Sequence, residues 1–165
     1  MTPDLLRPTG EIRRDNPSFT AVFVCGRNGG RSQIGQGFFN ALKEDYPLVD
    51  KRYRAISFGT RPGTEVHPLV VQAMGEVGID LTDTNEYHPK GMNDAITDNN
   101  ITSVLEVINV CDDTCELPPA AVNATYRRWH VQDPNGQPIE VVREVRDQIK
   151  ENVIDFLKEL NGKIN

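Results

Sequence analysis

The chain has 165 residues, with 18 Lys+Arg against 24 Asp+Glu and a formal net charge of −6. That balance excludes a general nucleic-acid or anionic-membrane binder, and no apolar run approaches the roughly 20 residues a bilayer-spanning helix needs. With 38% hydrophobic and 25% charged residues, the composition is that of an ordinary globular domain long enough for one proper core.

Residues 1–18 read as a flexible, polar N-terminal arm with three prolines and no apolar leader core, so a cytoplasmic location is expected. Residues 19–165 are expected to form a single domain. Phe19 to Val24 is a nearly continuous apolar run, the signature of a buried parallel strand. Ile34, Phe38, Ala41 and Leu42 then recur at helical spacing; Gly35 and Gly37 weaken that helix, with packing and a Ser32 cap as its expected support. Tyr53 to Ser57 predicts a second strand and Pro68 to Val77 a second helix, with Gly78 as terminator. A short helix is expected after Pro89. Val104 to Val110 predicts the third strand and Tyr126 to His130 the fourth. Val142, Val145, Ile149, Val153, Phe156 and Leu160 form one apolar stripe on a final helix. This alternation predicts an α/β fold: a four-stranded parallel open sheet with helices on both faces. No exposed heptad or long apolar patch is visible, so a monomer is expected.

Ligands of such sheets bind beyond the carboxyl ends of the strands. Cys25, Cys111 and Asp133 each follow a predicted strand and should therefore share one rim. The run Cys25-Gly26-Arg27-Asn28-Gly29-Gly30-Arg31-Ser32 lies between a strand and a helix. A glycine-rich loop there turns backbone N–H groups inward against a positive helix end and can hold a tetrahedral oxyanion. The same dipoles favour a thiolate at Cys25, and Ser32 can donate to it. Arg31 can grip two oxygens with its planar fork, whereas Asn28 is expected to brace the loop. The absence of Gly-Lys-Ser/Thr excludes a Walker A loop.

Three cysteines do not suggest a secreted disulfide scaffold, and no His/Cys cluster has zinc-ligand spacing. No metal or cofactor is expected. Cys111 and Cys115 bracket Asp112-Asp113-Thr114 on an expected loop, where the pair can resolve a covalent intermediate on Cys25 by thiol–disulfide exchange. Asp133, before Pro134, is a candidate general acid for a leaving oxygen; an Asp-Pro turn is its simpler role. His130 beside it is read as structural.

Cys25-x-x-Asn28-x-x-Arg31-Ser32 resembles the phosphate loop of the low-molecular-weight protein tyrosine phosphatase superfamily, and Gln33 resembles its arsenate reductase branch. Ser57-Phe58-Gly59-Thr60, His67-Pro68 and Gly78-Ile79-Asp80 resemble the superfamily's middle part, and Asp133-Pro134 its general-acid position. Asn135 and Gly136 stand where phosphatases carry tyrosines, and Gln36 where a glutamate is frequent. The resemblance implies a phosphatase-I fold and reduction of arsenate to arsenite, with phosphate and sulfate competing. It implies that Cys25 attacks arsenate, Asp133 helps expel water, and Cys111 attacks Cys25 to release arsenite. Cys115 then attacks Cys111, and thioredoxin reduces the Cys111–Cys115 disulfide. The short spacing of that pair also resembles members coupled to mycothiol and glutaredoxin-like partners. A low-molecular-weight phosphatase activity is the remaining alternative.

Overall fold

The computed structural model describes residues 19–98, 101, 103–110 and 117–162. The N-terminal arm and both Cys111 and Cys115 lie outside the described residues. Four parallel strands, β1 (Thr20–Cys25), β2 (Arg54–Gly59), β3 (Glu106–Asn109) and β4 (Thr125–Arg128), form a sheet in the order β2-β1-β3-β4. The helices are α1 (Arg31–Leu42), α2 (Pro68–Gly75), α3 (Met92–Asp98) and α4 (Ile139–Gly162). This is the α/β architecture expected from the alternation of patterns.

β1 is buried along its whole length because it is paired on both edges, Val22 lying opposite Ile56 of β2 and Val107 of β3. Its side chains alternate between two cores. Ala21, Phe23 and Cys25 face a cluster that includes Ile34, Phe38, Met74, Ile149 and Phe156 from α1, α2 and α4. Val22 and Val24 face a smaller one with Ile56, Phe58, Ala95 of α3, Val104 and Val107. The predicted stripe of α4 is buried as expected, joined by Leu157.

Gly35 has a packing reason for interrupting α1: a Cβ there would stand 2.5 Å from the Phe23 ring, so the absence of a side chain lets β1 approach the helix. Ser32 does not cap α1. The N-cap is Gly30, with no side-chain cap bond, because the Ser32 hydroxyl is taken up elsewhere. β2 and β4 start and end a residue or two from their sequence-based limits. β4 is a half-exposed edge strand that the apolar pattern defines poorly. Arg127 anchors it, bonding Glu106 of β3 at 2.8 Å and Glu159 of α4 at 2.6 Å while lying 4.6 Å over the Phe156 ring. Among the described residues no helix is long and apolar enough to cross a membrane.

Candidate oxyanion site

Where β1 ends, the chain turns through residues 26–30 into α1, and the carbonyl of every residue of that turn is engaged away from the cavity above it. The segment between β2 and α2 takes most of them. Thr60, Arg61, Gly63 and His67 donate their N–H groups to the carbonyls of Cys25 (3.1 Å), Gly26 (2.7 Å), Arg27 (2.9 Å) and Gly29 (2.8 Å). Gln33 Nε2 donates to the Asn28 carbonyl at 3.1 Å and Ile34 N–H to that of Gly30 at 2.9 Å. Among the described residues no carbonyl accepts the N–H groups of residues 26–31. The turn therefore presents unsatisfied donors at the start of a 12-residue helix with no acidic residue in its first turn, an arrangement that favours an anion. Gly59 makes this lacing possible: a Cβ on it would fall 2.6 Å from the Gly26 carbonyl oxygen and 2.8 Å from the Asn28 nitrogen.

Cys25 forms part of the wall of a cavity of about 410 Å³, together with Gly26, Arg27, Gly29, Gly30 and Arg31. Its sulfur lies 2.8 Å from Ser32 Oγ. Arg31, only 8% exposed, is steered by a bond from Nη1 to the Val131 carbonyl at 2.9 Å, leaving Nη2 3.8 Å from Asp133 Oδ2. The guanidinium is thus held at the cavity wall with its second nitrogen toward the rim. Asp133 makes the turn that is its simpler sequence-based role and stands at the cavity. Its Oδ1 accepts the Asn135 N–H at 2.9 Å, forming the turn, while its exposed carboxyl borders the cavity.

Asn28 and Ser32 stand behind the loop, both fully buried. Asn28 is the one described non-glycine residue with positive φ, 55°, a conformation asparagine tolerates better than most. Its Oδ1 accepts from Lys90 N–H and from Gln33 Nε2, each at 3.1 Å. Its Nδ2 donates to Ser32 Oγ at 2.7 Å and Ser57 Oγ at 3.0 Å. Asn28 accordingly braces the loop from within, as the sequence suggested, and is not among the residues lining the cavity. Arg27 is exposed and its guanidinium lies beside Gly63. His130 is exposed and does not line the cavity.

Sequence reasoning passed over the cavity residues Arg61, Thr64 and Glu65, and named His67 only within a resemblance, without a site role. The His67 Nδ1 accepts the Leu69 N–H at 3.2 Å and caps α2, which leaves the proton of its neutral ring on Nε2. The signal that could have found this segment is the rim rule itself, since it follows β2. Among the described residues no group of three His, Cys, Asp or Glu is placed to hold a metal ion.

Residues 20–165 match the low molecular weight phosphotyrosine protein phosphatase family. A glutaredoxin arsenate reductase of Synechocystis sp. is 33% identical over 141 residues, 85% of this chain and 97% of that one. An arsenate reductase of Staphylococcus aureus is 30% identical, covering 83% and 95%. Among solved structures, an arsenate reductase in its phosphate-binding state superimposes with a TM-score of 0.69 at 31% identity, covering 86% of this chain and 98% of the other.

Proposed function

This chain belongs to the low molecular weight phosphotyrosine protein phosphatase family, and from that premise we propose that it reduces arsenate to arsenite with Cys25 as the nucleophile. The observation that carries the reading is the loop at residues 25–30, with every carbonyl engaged outward and its N–H groups left to face an anion. A tetrahedral oxyanion seated there lies against Cys25 and within reach of Arg31 Nη2, which neutralises charge on two of its oxygens. The likeness to arsenate reductases over more than four fifths of the chain selects arsenate over a phosphoester.

The steps balance as a two-electron reduction. The Cys25 thiolate forms a bond to arsenic, and an arsenate oxygen leaves as water with a proton from Asp133. The Cys111 thiolate then attacks the Cys25 sulfur, and the electron pair of the sulfur–arsenic bond stays on arsenic, now arsenite. Cys115 attacks Cys111, freeing the Cys25 thiolate and leaving a Cys111–Cys115 disulfide. Thioredoxin reduces that disulfide. Phosphate and sulfate, of the same shape and charge type, compete for the loop.

The test is steady-state arsenate reduction with thioredoxin, thioredoxin reductase and NADPH. Cys25→Ser is expected to abolish turnover, and Cys115→Ser to limit the enzyme to a single turnover; full multiple turnover by Cys115→Ser would refute the relay. A second reading, in which a small thiol and a glutaredoxin-type partner supply the electrons, is favoured by the Synechocystis relative's name. Cys111→Ser retaining turnover with such a thiol would select it.

A further inference from the structure

We propose that Gln36, oriented by Glu86, is a positioning residue for Cys25, acting through a buried chain of hydrogen bonds whose direction is fixed at both ends. The proposal rests on Cys25 being the nucleophile but not on the identity of its substrate.

The direction follows from which groups can only donate and which can only accept. The Lys90 backbone N–H can only donate, so the Asn28 atom it meets at 3.1 Å is the amide oxygen. Asn28 Nδ2 therefore faces Ser32 and Ser57 and gives each of them a proton. Ser57 has accepted and must send its own proton onward, and Gln36 Oε1 takes it at 2.6 Å. Ser32 has likewise accepted, which leaves its own proton available to the Cys25 sulfur at 2.8 Å. In our proposal the serine is the donor in that contact, the polarity a thiolate requires.

The far end is set by Glu86. Its carboxylate Oε2 accepts from Gln36 Nε2 at 3.3 Å and so turns Gln36 Oε1 toward Ser57. With the Gln36 amide reversed, Ser57 would face two donors and its own buried proton would have no acceptor. Relief would come from rotation of Ser57 or Asn28, at the expense of the bond that aligns Ser32. Cys25, Asn28, Ser32, Gln36 and Ser57 are each no more than 4% exposed, so the chain is shielded from bulk water. Glu86 is exposed and sits at the solvent end, where Arg54 of β2 is the charged group coupled to it.

The experiment follows Cys25 alone, in a Cys111→Ser/Cys115→Ser background, as the rate of alkylation by iodoacetamide across pH, read by intact mass. The titratable groups facing the cavity (Arg27, Arg31, Arg61, Glu65, His67 and Asp133) stay in place. Gln36→Leu is expected to slow alkylation at neutral pH about tenfold and to move the rate–pH profile to higher pH, the scale of one misaligned hydrogen bond to a charged group. Glu86→Ala should act in the same direction by about threefold, its bond being longer and partly solvated. The paired exchange Gln36→Glu with Glu86→Gln keeps an acceptor against Ser57 and should return the profile to within about twofold of the parent. Folded Gln36→Leu and Glu86→Ala variants with unshifted profiles would overturn the proposal, as would a paired exchange no better than Glu86→Ala. If Gln36→Leu does not fold, Glu86→Ala at the surface and the paired exchange decide the matter. No arsenate is used, so failure of the reductase reading would leave this result standing.

Discussion

A sulfur close to a hydroxyl is an ordinary contact; what distinguishes Cys25 is that each neighbour of the loop has its polarity fixed by another. Arg31 illustrates this, since its bond to the Val131 carbonyl leaves only part of the guanidinium available to an anion. Arg31→Lys retains charge but loses the fork, and kcat/KM should fall by about 10 to 100-fold, the range for one or two charge-assisted bonds. Asp133→Asn keeps the Asx turn to Asn135 yet cannot give up a proton, so a kcat loss of about 100-fold or more with little change in KM is expected. The residues of the loop were legible because a cysteine, glycines and arginines lie within eight positions. Ser32 was legible as a donor to sulfur but not as a residue diverted from capping, because its partners Asn28 and Ser57 meet only in the folded chain. Gln36 gave no signal beyond its departure from glutamate, since its role depends on Glu86, 50 positions away.

The helices were readable where one face is apolar and the other charged, as in α4, and the strands where both faces are buried, as in β1. β4 was read less well because its Thr125 and Tyr126 are exposed and its hold on the molecule comes from Arg127. Gly59 ties an element to the site: Gly59→Ala drives a Cβ into loop backbone that cannot retreat without breaking its hydrogen bonds. Thermal unfolding should register a loss of about 1 to 3 kcal/mol, with activity falling further than stability explains. α2 is fastened to α4 through Glu76, which accepts from Arg143 at 2.7 Å and from Arg146 at 2.8 Å. These guanidinium bonds, Arg143 first, hold the Glu76 carboxyl down at about 2, against 4.5 ordinarily. A carboxyl with a depressed folded-state value stabilises above the unfolded value and loses that contribution as pH falls. The link should therefore weaken between about pH 4.5 and pH 2. Glu76→Gln should flatten the pH dependence of the melting temperature in that window and lower the melting temperature slightly at neutral pH, where the contribution is present but solvent-screened.

Across the whole molecule, the sheet order places β1 between β2 and β3, so that the turns after β1, β2 and β4 converge on one rim. This convergence was foreseeable from alternating strands and helices: of the three residues expected on the rim, Cys25 and Asp133 border one cavity, while Cys111 lies outside the described residues. Val110, the last described residue before Cys111, bonds the Val24 carbonyl at 2.9 Å, so the chain leaves the sheet beside the end of β1. Not every buried polar group serves the site. The Tyr53 hydroxyl has no partner among the described residues, and burial pushes its ionisation well above the usual phenol range. It packs between Phe19 and Phe39, and Tyr53→Phe should leave stability unchanged or raise it by up to about 1 kcal/mol, measured by denaturant unfolding.

The central claim is that Cys25 passes two electrons to arsenate and recovers them from the other two thiols. Its most direct test is a single turnover without external reductant: the fully reduced protein is mixed with excess arsenate, arsenite is quantified, and the disulfide is mapped by mass spectrometry. The account predicts one arsenite per chain together with loss of two hydrogens localised to Cys111 and Cys115, and neither event in Cys25→Ser. Arsenite produced by Cys25→Ser, or no arsenite from the reduced wild-type chain, would contradict it.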